Sequence, residues 1–219
     1  MKPNLDTVLH LLHAASSGTL ATNSLALPGY PFATALPFVP DQWHCPVFLV
    51  SRLAEHTKNL LADGRASFLV NSLHEGSVLT GARMTLVGDV AHIDASAEFT
   101  ARYLRYQPDA EQYLSLGDFA FFQLMPKRAR HIAGFGQMGW VEQSEWKNAA
   151  VLAPAEETQY LQQLAGIAPT GVRLLGIDYY GCDIERDGKR IRLRLPGPAS
   201  QDESATKLVS GIERLLMAF

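Results

Sequence analysis

The chain has 219 residues, 47% of them hydrophobic and 19% charged, with a formal net charge of −3. That is enough apolar material for one sizeable core, or a core with a small appendage. Charges of both signs are interspersed, so the basic stripe of a nucleic-acid binder is missing, and the apolar runs are strand-sized, too short to span a bilayer.

In chain order, Asp6 is predicted to cap a first helix burying Val8, Leu9 and Leu12. That opening segment, "MKPNLDTVLHLLHAAS", carries no signal-peptide apolar block, and a cytoplasmic location is expected. "GTLATNSLAL" reads as a strand, "PGYP" as a turn, and "FATALPFV" and "PVFLVS" as two more strands. A short helix follows over 53–62, with Leu53, Leu60 and Leu61 on its apolar side, then the strand "RASFLVN". "RMTLVGDVAHID" is a long strand with Thr85, Val87, Asp89 and Ala91 on one face. Residues 95–106 are helical, capped by Ser96 or Asp94. "DFAFFQLMPKRARHIA" is extended and apolar on both faces, the pattern of a strand covered on two sides.

The apolar periodicity fades across "SEWKNAAVLAP", which suggests a boundary. Beyond it come a helix, "PAEETQYLQQLAG", and a hairpin turning at Asp187-Gly188. The closing amphipathic helix has Asp202 and Glu203 at its N-terminal end and Leu208, Ile212, Leu215 and Phe219 on one face. The expected fold is α+β and mainly antiparallel: a small barrel with flanking helices over 1–145 and an α+β module over 146–219. Cys45 and Cys182 lie far apart without CxxC spacing, so neither a metal knuckle nor a disulfide framework is expected. P-loop, HExxH and GxSxG motifs are absent, "GFGQMG" matches GxGxxG only superficially because its flanks read as strand and turn instead of strand then helix, and no catalytic acid or base stands out. "KRARH" at 127–131 reads as a strand's solvated end or a second anion contact.

Ser51-Arg52, at the exit of an apolar strand just before a helix, raises a specific question. Ser51 reads as a helix cap in the plainest account. Arg52 is harder to place, because a helix N-terminus already favours anions and a cation beside it is misplaced unless an anion sits between them. A hydroxyl, a guanidinium fork and free N–H groups together make a phosphate cradle.

The run from "LATNSLALPGYPF" through "SRLAEHTKNLLADGRASFLV", with "ARMTLVG" and "GFGQMGW", resembles the FMN-binding split barrels of the pyridoxamine 5'-phosphate oxidase-like family. The likeness is nearest to the haem-utilisation-like branch, which carries a small C-terminal α+β module, and it covers nearly the whole chain. It implies Ser51 and Arg52 at an FMN phosphate, with His56 one helical turn on. It also implies Thr34, Arg83 and Thr85 near the isoalloxazine, and Trp140 as a wall of the ring, with Gly134 and Gly136 allowing close backbone approach. Where the vitamin B6 oxidase continues Ser-Arg with lysine, this chain has Leu53, and "RARHIAGFGQMGW" replaces that enzyme's substrate-handling ending.

The resemblance therefore implies a homodimeric FMN-binding flavoprotein, with an oxidoreductase activity on an unidentified small molecule, the flavin lying between two copies. Two alternatives stand beside it. One is a haem-binding or haem-degrading split barrel, for which no histidine follows His131, leaving His10 and His13 on the first helix, where histidines usually face solvent. The other is a non-catalytic binding module. Neither nucleic acid nor membrane is an expected partner.

Overall fold

The structure, a computed structural model, describes residues 4–71, 81–133, 138–197 and 205–219. Helix α1 (Leu5–Ala14) is capped by Asn4, whose side chain accepts from the Asp6 amide, so the cap stands two residues earlier than the expected Asp6. Its Val8, Leu9 and Leu12 are fully buried. Strands β1 (Ser17–Asn23), β2 (Pro31–Pro37), β3 (Val39–Pro40) and β4 (Pro46–Ser51) follow, then α2 (Glu55–Ala62), β5 (Arg65–Asn71) and β6 (Ala82–Ile93). Helices α3 (Ala97–Tyr106) and α4 (Ala110–Leu114) lead to the long β7 (Phe119–Ala133), then β8 (Met138–Glu142) and α5 (Gln143–Lys147). The Ser96 hydroxyl accepts from the Phe99 amide and caps α3 as expected.

These strands form one antiparallel sheet in the order β2-β1-β5-β6-β7-β4-β3, with β8 pairing the second half of β7. Its inner face carries Leu20, Phe48, Phe68, Met84, Leu86 and Leu124 around a core that α1 closes. The sheet bends where β6 crosses β7. There the register shifts between Val87 and Gly88, and Lys127 is the unpaired extra residue. Only glycine fits at 88, since a Cβ would stand 2.1 Å from the Met125 carbonyl oxygen. The bulge reverses the alternation of β7. Ala120, Phe122 and Leu124 face the inner core before it, and Ala129 and His131 after it. Before the bulge, Phe121 is covered on the other side by Phe99 and Tyr103 of α3, so this half is buried on both faces as its sequence suggests.

The remaining chain gives α6 (Pro154–Leu164), β9 (Val172–Asp178), β10 (Gly181–Arg186), β11 (Lys189–Arg194) and α7 (Ala205–Met217), the three strands forming a second sheet in the order β11-β10-β9. The β10–β11 turn is at Asp187-Gly188, both with positive φ (52° and 71°), the geometry expected of an Asp-Gly hairpin. In α7, Leu208 and Ile212 are buried as expected, but Leu216 completes the stripe, while Phe219 lies beyond the helix and is exposed. Asp202 and Glu203 lie outside the described residues. Arg190 of β11 donates to the carbonyls of Ala15 and Phe38, binding the second sheet to the first. No helix among the described residues is long and apolar enough to cross a membrane.

Candidate cofactor site on the open sheet face

Beyond the bulge, the outer face of the large sheet is open among the described residues. Antiparallel pairing sets Thr19, Leu69, Thr85, Arg130 and Trp140 in one row across β1, β5, β6, β7 and β8. The next row contains Ala21, Ser67, Val87, Arg128 and Glu142. Leu69, Val87, Met138 and Trp140 are 37–46% exposed, a strip of apolar surface that pleat alternation alone assigns outward. The guanidinium of Arg128 stands 4.3 Å from the Trp140 ring centroid and that of Arg130 5.3 Å. Arg128 also pairs with Glu142 at 2.8 Å. Arg83 joins this face and donates to the Gly81 carbonyl. A groove of about 500 Å³ continues the face past Ala21, Ser67, Val87 and Lys127. A second, more apolar cavity of about 470 Å³ lies between Trp43, Met125 and Trp146.

The residues singled out from sequence divide into three groups. Arg83, Thr85 and Trp140 share the open face. Thr34 pairs with the fully buried Leu20 and points inward with Leu36, on the opposite side of the sheet. Ser51, Arg52 and His56 lie at the β4–α2 junction. Gly134 and Gly136 fall outside the described residues.

The β4–α2 junction differs from a helix-capping site. Helix α2 starts at Glu55 with Ala54 as its cap residue and no side-chain cap bond, so Ser51 is not the cap. The Ser51 hydroxyl oxygen accepts from the Leu53 amide, closing a turn ahead of the helix, and its proton goes to Asp118 at 2.6 Å. Arg52 is exposed and makes no side-chain hydrogen bond among the described residues. Leu53 and Leu61 are 74% and 66% exposed, and the buried side of α2 is Thr57, Asn59 and Leu60 instead of a leucine stripe. The reason is polar: Thr57 donates to the Ser51 carbonyl and Asn59 to the Thr22 hydroxyl, tying α2 to β4 and β1. His56 is half-buried, its Nε2 has no partner, and burial pushes its pKa below 6.5.

The family model described as CREG, beta-barrel matches residues 7–148. The chain belongs to that family. This CREG-family chain is 28% identical to the chloroplastic heme oxygenase HOZ of Arabidopsis thaliana, over 93% of its own length and 70% of that protein's. Among solved structures, the protein Atu2129 of Agrobacterium tumefaciens superposes with a TM-score of 0.74 at 21% identity, covering 95% of this chain and 94% of that one. A heme binding protein of Mycobacterium smegmatis superposes over the full length of both chains with a TM-score of 0.61 at 22% identity. The fold of this CREG-family chain is thus the split barrel, α+β and mainly antiparallel, that its sequence resembles.

Proposed function

We propose that this CREG-family chain binds haem against the open sheet face, with a second copy of the chain closing over it. The observation that carries this reading is the apolar strip of Leu69, Val87 and Met138 bordered by Trp140 and by Arg83, Arg128 and Arg130. A porphyrin needs a flat apolar wall and cations for its propionates, and both are within one face. The likeness to a heme oxygenase across nearly the whole chain supports the same ligand. Among the described residues no histidine stands on that face, so the fit is to the porphyrin and its carboxylates, and no iron ligand is assigned.

FMN is the second reading, favoured by the exposed Arg52 at the turn after β4. Against it, the Ser51 proton is already committed to a carboxylate, and a phosphate dianion placed there meets the like charge of Asp118.

Titration of the purified protein with haemin and, separately, with FMN tests the choice. A saturable Soret band, weakened in Trp140→Ala and Arg130→Ala, is the expected result. Saturable FMN binding with no Soret change would move the assignment to the flavin, and binding of neither would leave a non-catalytic module. Light scattering gives the oligomeric state, expected to be a dimer that Val87→Arg disrupts.

A further inference from the structure

Away from the open face, where α1 meets the second sheet, two histidines and two aspartates are sealed together. His13, His44, Asp178 and Asp183 are all buried, and they come from α1, the β3–β4 loop, β9 and β10.

The hydrogen bonds around them set which nitrogen of each neutral imidazole carries the proton. His13 Nδ1 is 2.8 Å from Asp183 Oδ2, a carboxylate that Arg192 also grips, so Nδ1 donates and Nε2 keeps its lone pair. His44 Nε2 is 3.2 Å from the Ala150 carbonyl oxygen, which only accepts, so Nε2 donates and Nδ1 keeps its lone pair. Those two lone pairs face each other at 2.9 Å. Asp178 Oδ2 completes the triangle, 3.7 Å from His13 Nε2 and 4.0 Å from His44 Nδ1, and it has no hydrogen-bond partner. Asp178 Oδ1 meanwhile accepts from the amides of Tyr180 and Gly181 and from Arg192, which anchors the carboxylate with Oδ2 turned inward.

With both rings neutral, these three converging acceptors repel one another unless a cation sits at their centre. We propose that His13 Nε2, His44 Nδ1 and Asp178 Oδ2 hold a divalent transition-metal ion of the zinc class. Separations of 2.9, 3.7 and 4.0 Å bracket the roughly 3.3 Å between ligands of a tetrahedral ion bound at about 2.0–2.1 Å. Two imidazoles and a carboxylate suit zinc, and the Asp183–His13 bond is the carboxylate–histidine–metal arrangement that fixes a ligating tautomer. The non-glycine positive φ of His44, 60°, aims its ring into the cluster, and Asp41 holds that loop through the Trp43 and Cys45 amides. A single proton shared between the two imidazoles is the competing occupant, and it leaves the Asp178 oxygen unbonded.

Metal analysis of the purified chain, then of chelator-dialysed chain given Zn²⁺ or Co²⁺, tests the site. One ion per chain is expected, with the visible bands of tetrahedral Co²⁺ and no Soret absorption. Asp178→Asn and His44→Gln should each weaken binding at least tenfold. Zinc K-edge spectroscopy on wild-type protein counts imidazole ligands without recourse to any variant, and two are expected. A folded chain that contains no metal and takes up neither ion overturns the proposal. So does a bound ion with fewer than two imidazoles, or one indifferent to both substitutions.

Discussion

The Ser51 hydroxyl donates to the Asp118 carboxylate at 2.6 Å, joining the end of β4 to the residue just ahead of β7. The Arg52 amide donates to the Asp118 carbonyl at 2.8 Å, so the contact is doubled through the backbone. Asp118 thus takes up the hydroxyl that the sequence presents, with Arg52, as a phosphate cradle, and the Ser51–Asp118 pair predicts two separable outcomes. Ser51→Ala leaves a half-buried carboxylate without its donor and should cost about 1–2 kcal/mol in chemical denaturation. Asp118→Asn removes the negative charge beside the hydroxyl and should raise the affinity of the turn for FMN or inorganic phosphate, measured by calorimetry.

On the open face, Trp140 is 38% exposed and packs beneath two guanidiniums. Trp140→Ala should leave stability nearly unchanged and lower haem affinity by about tenfold, or about 1.4 kcal/mol. An unchanged Soret titration would remove Trp140 from the site.

His131 lies on the inner face with its Nε2 unpartnered, and burial lowers its pKa below 6.5. The unfolded chain then binds more protons than the folded one between the two values. The contribution of His131 is fully present above pH 6.5 and is lost as pH falls towards the folded pKa. His131→Leu should flatten that slope in stability measured across this range.

Much of the fold is legible from the residues alone, and the exceptions have physical causes. The period-two run of β6, the Ser96 cap and the Asp187-Gly188 turn are local signals, and each appears where its chemistry puts it. α2 is misread because its buried side is largely polar: Thr57 and Asn59 satisfy hydrogen bonds with β4 and β1, while Leu53, ahead of the helix, and Leu61 face solvent. Thr34 is misplaced relative to Arg83 because its facing depends on pairing with Leu20, which no residue of β2 reveals. His13 looks like a surface residue on an amphipathic helix, and its burial comes from Asp183, 170 residues along the chain. The sequence offers only histidines and aspartates without close spacing, His13 on a helix, His44 in a loop and Asp178 and Asp183 on strands.

Gly88→Ala places a methyl group 2.1 Å from the Met125 carbonyl oxygen, which neither strand can yield without giving up ladder bonds. A loss of about 3 kcal/mol is expected, read as a lower denaturation midpoint.

The same bulge has a second effect, on which side chains meet which solvent. Were Lys127 paired with Val87 in unbroken register instead of bulged, every later residue of β7 would move by one position. Arg128 and Arg130 would then be driven into the hydrocarbon interior, and Ala129 would be left facing outward where Trp140 now has its cationic neighbours. One unpaired lysine therefore keeps a single ribbon two-natured, greasy beneath a helix at one end and charged in the open at the other.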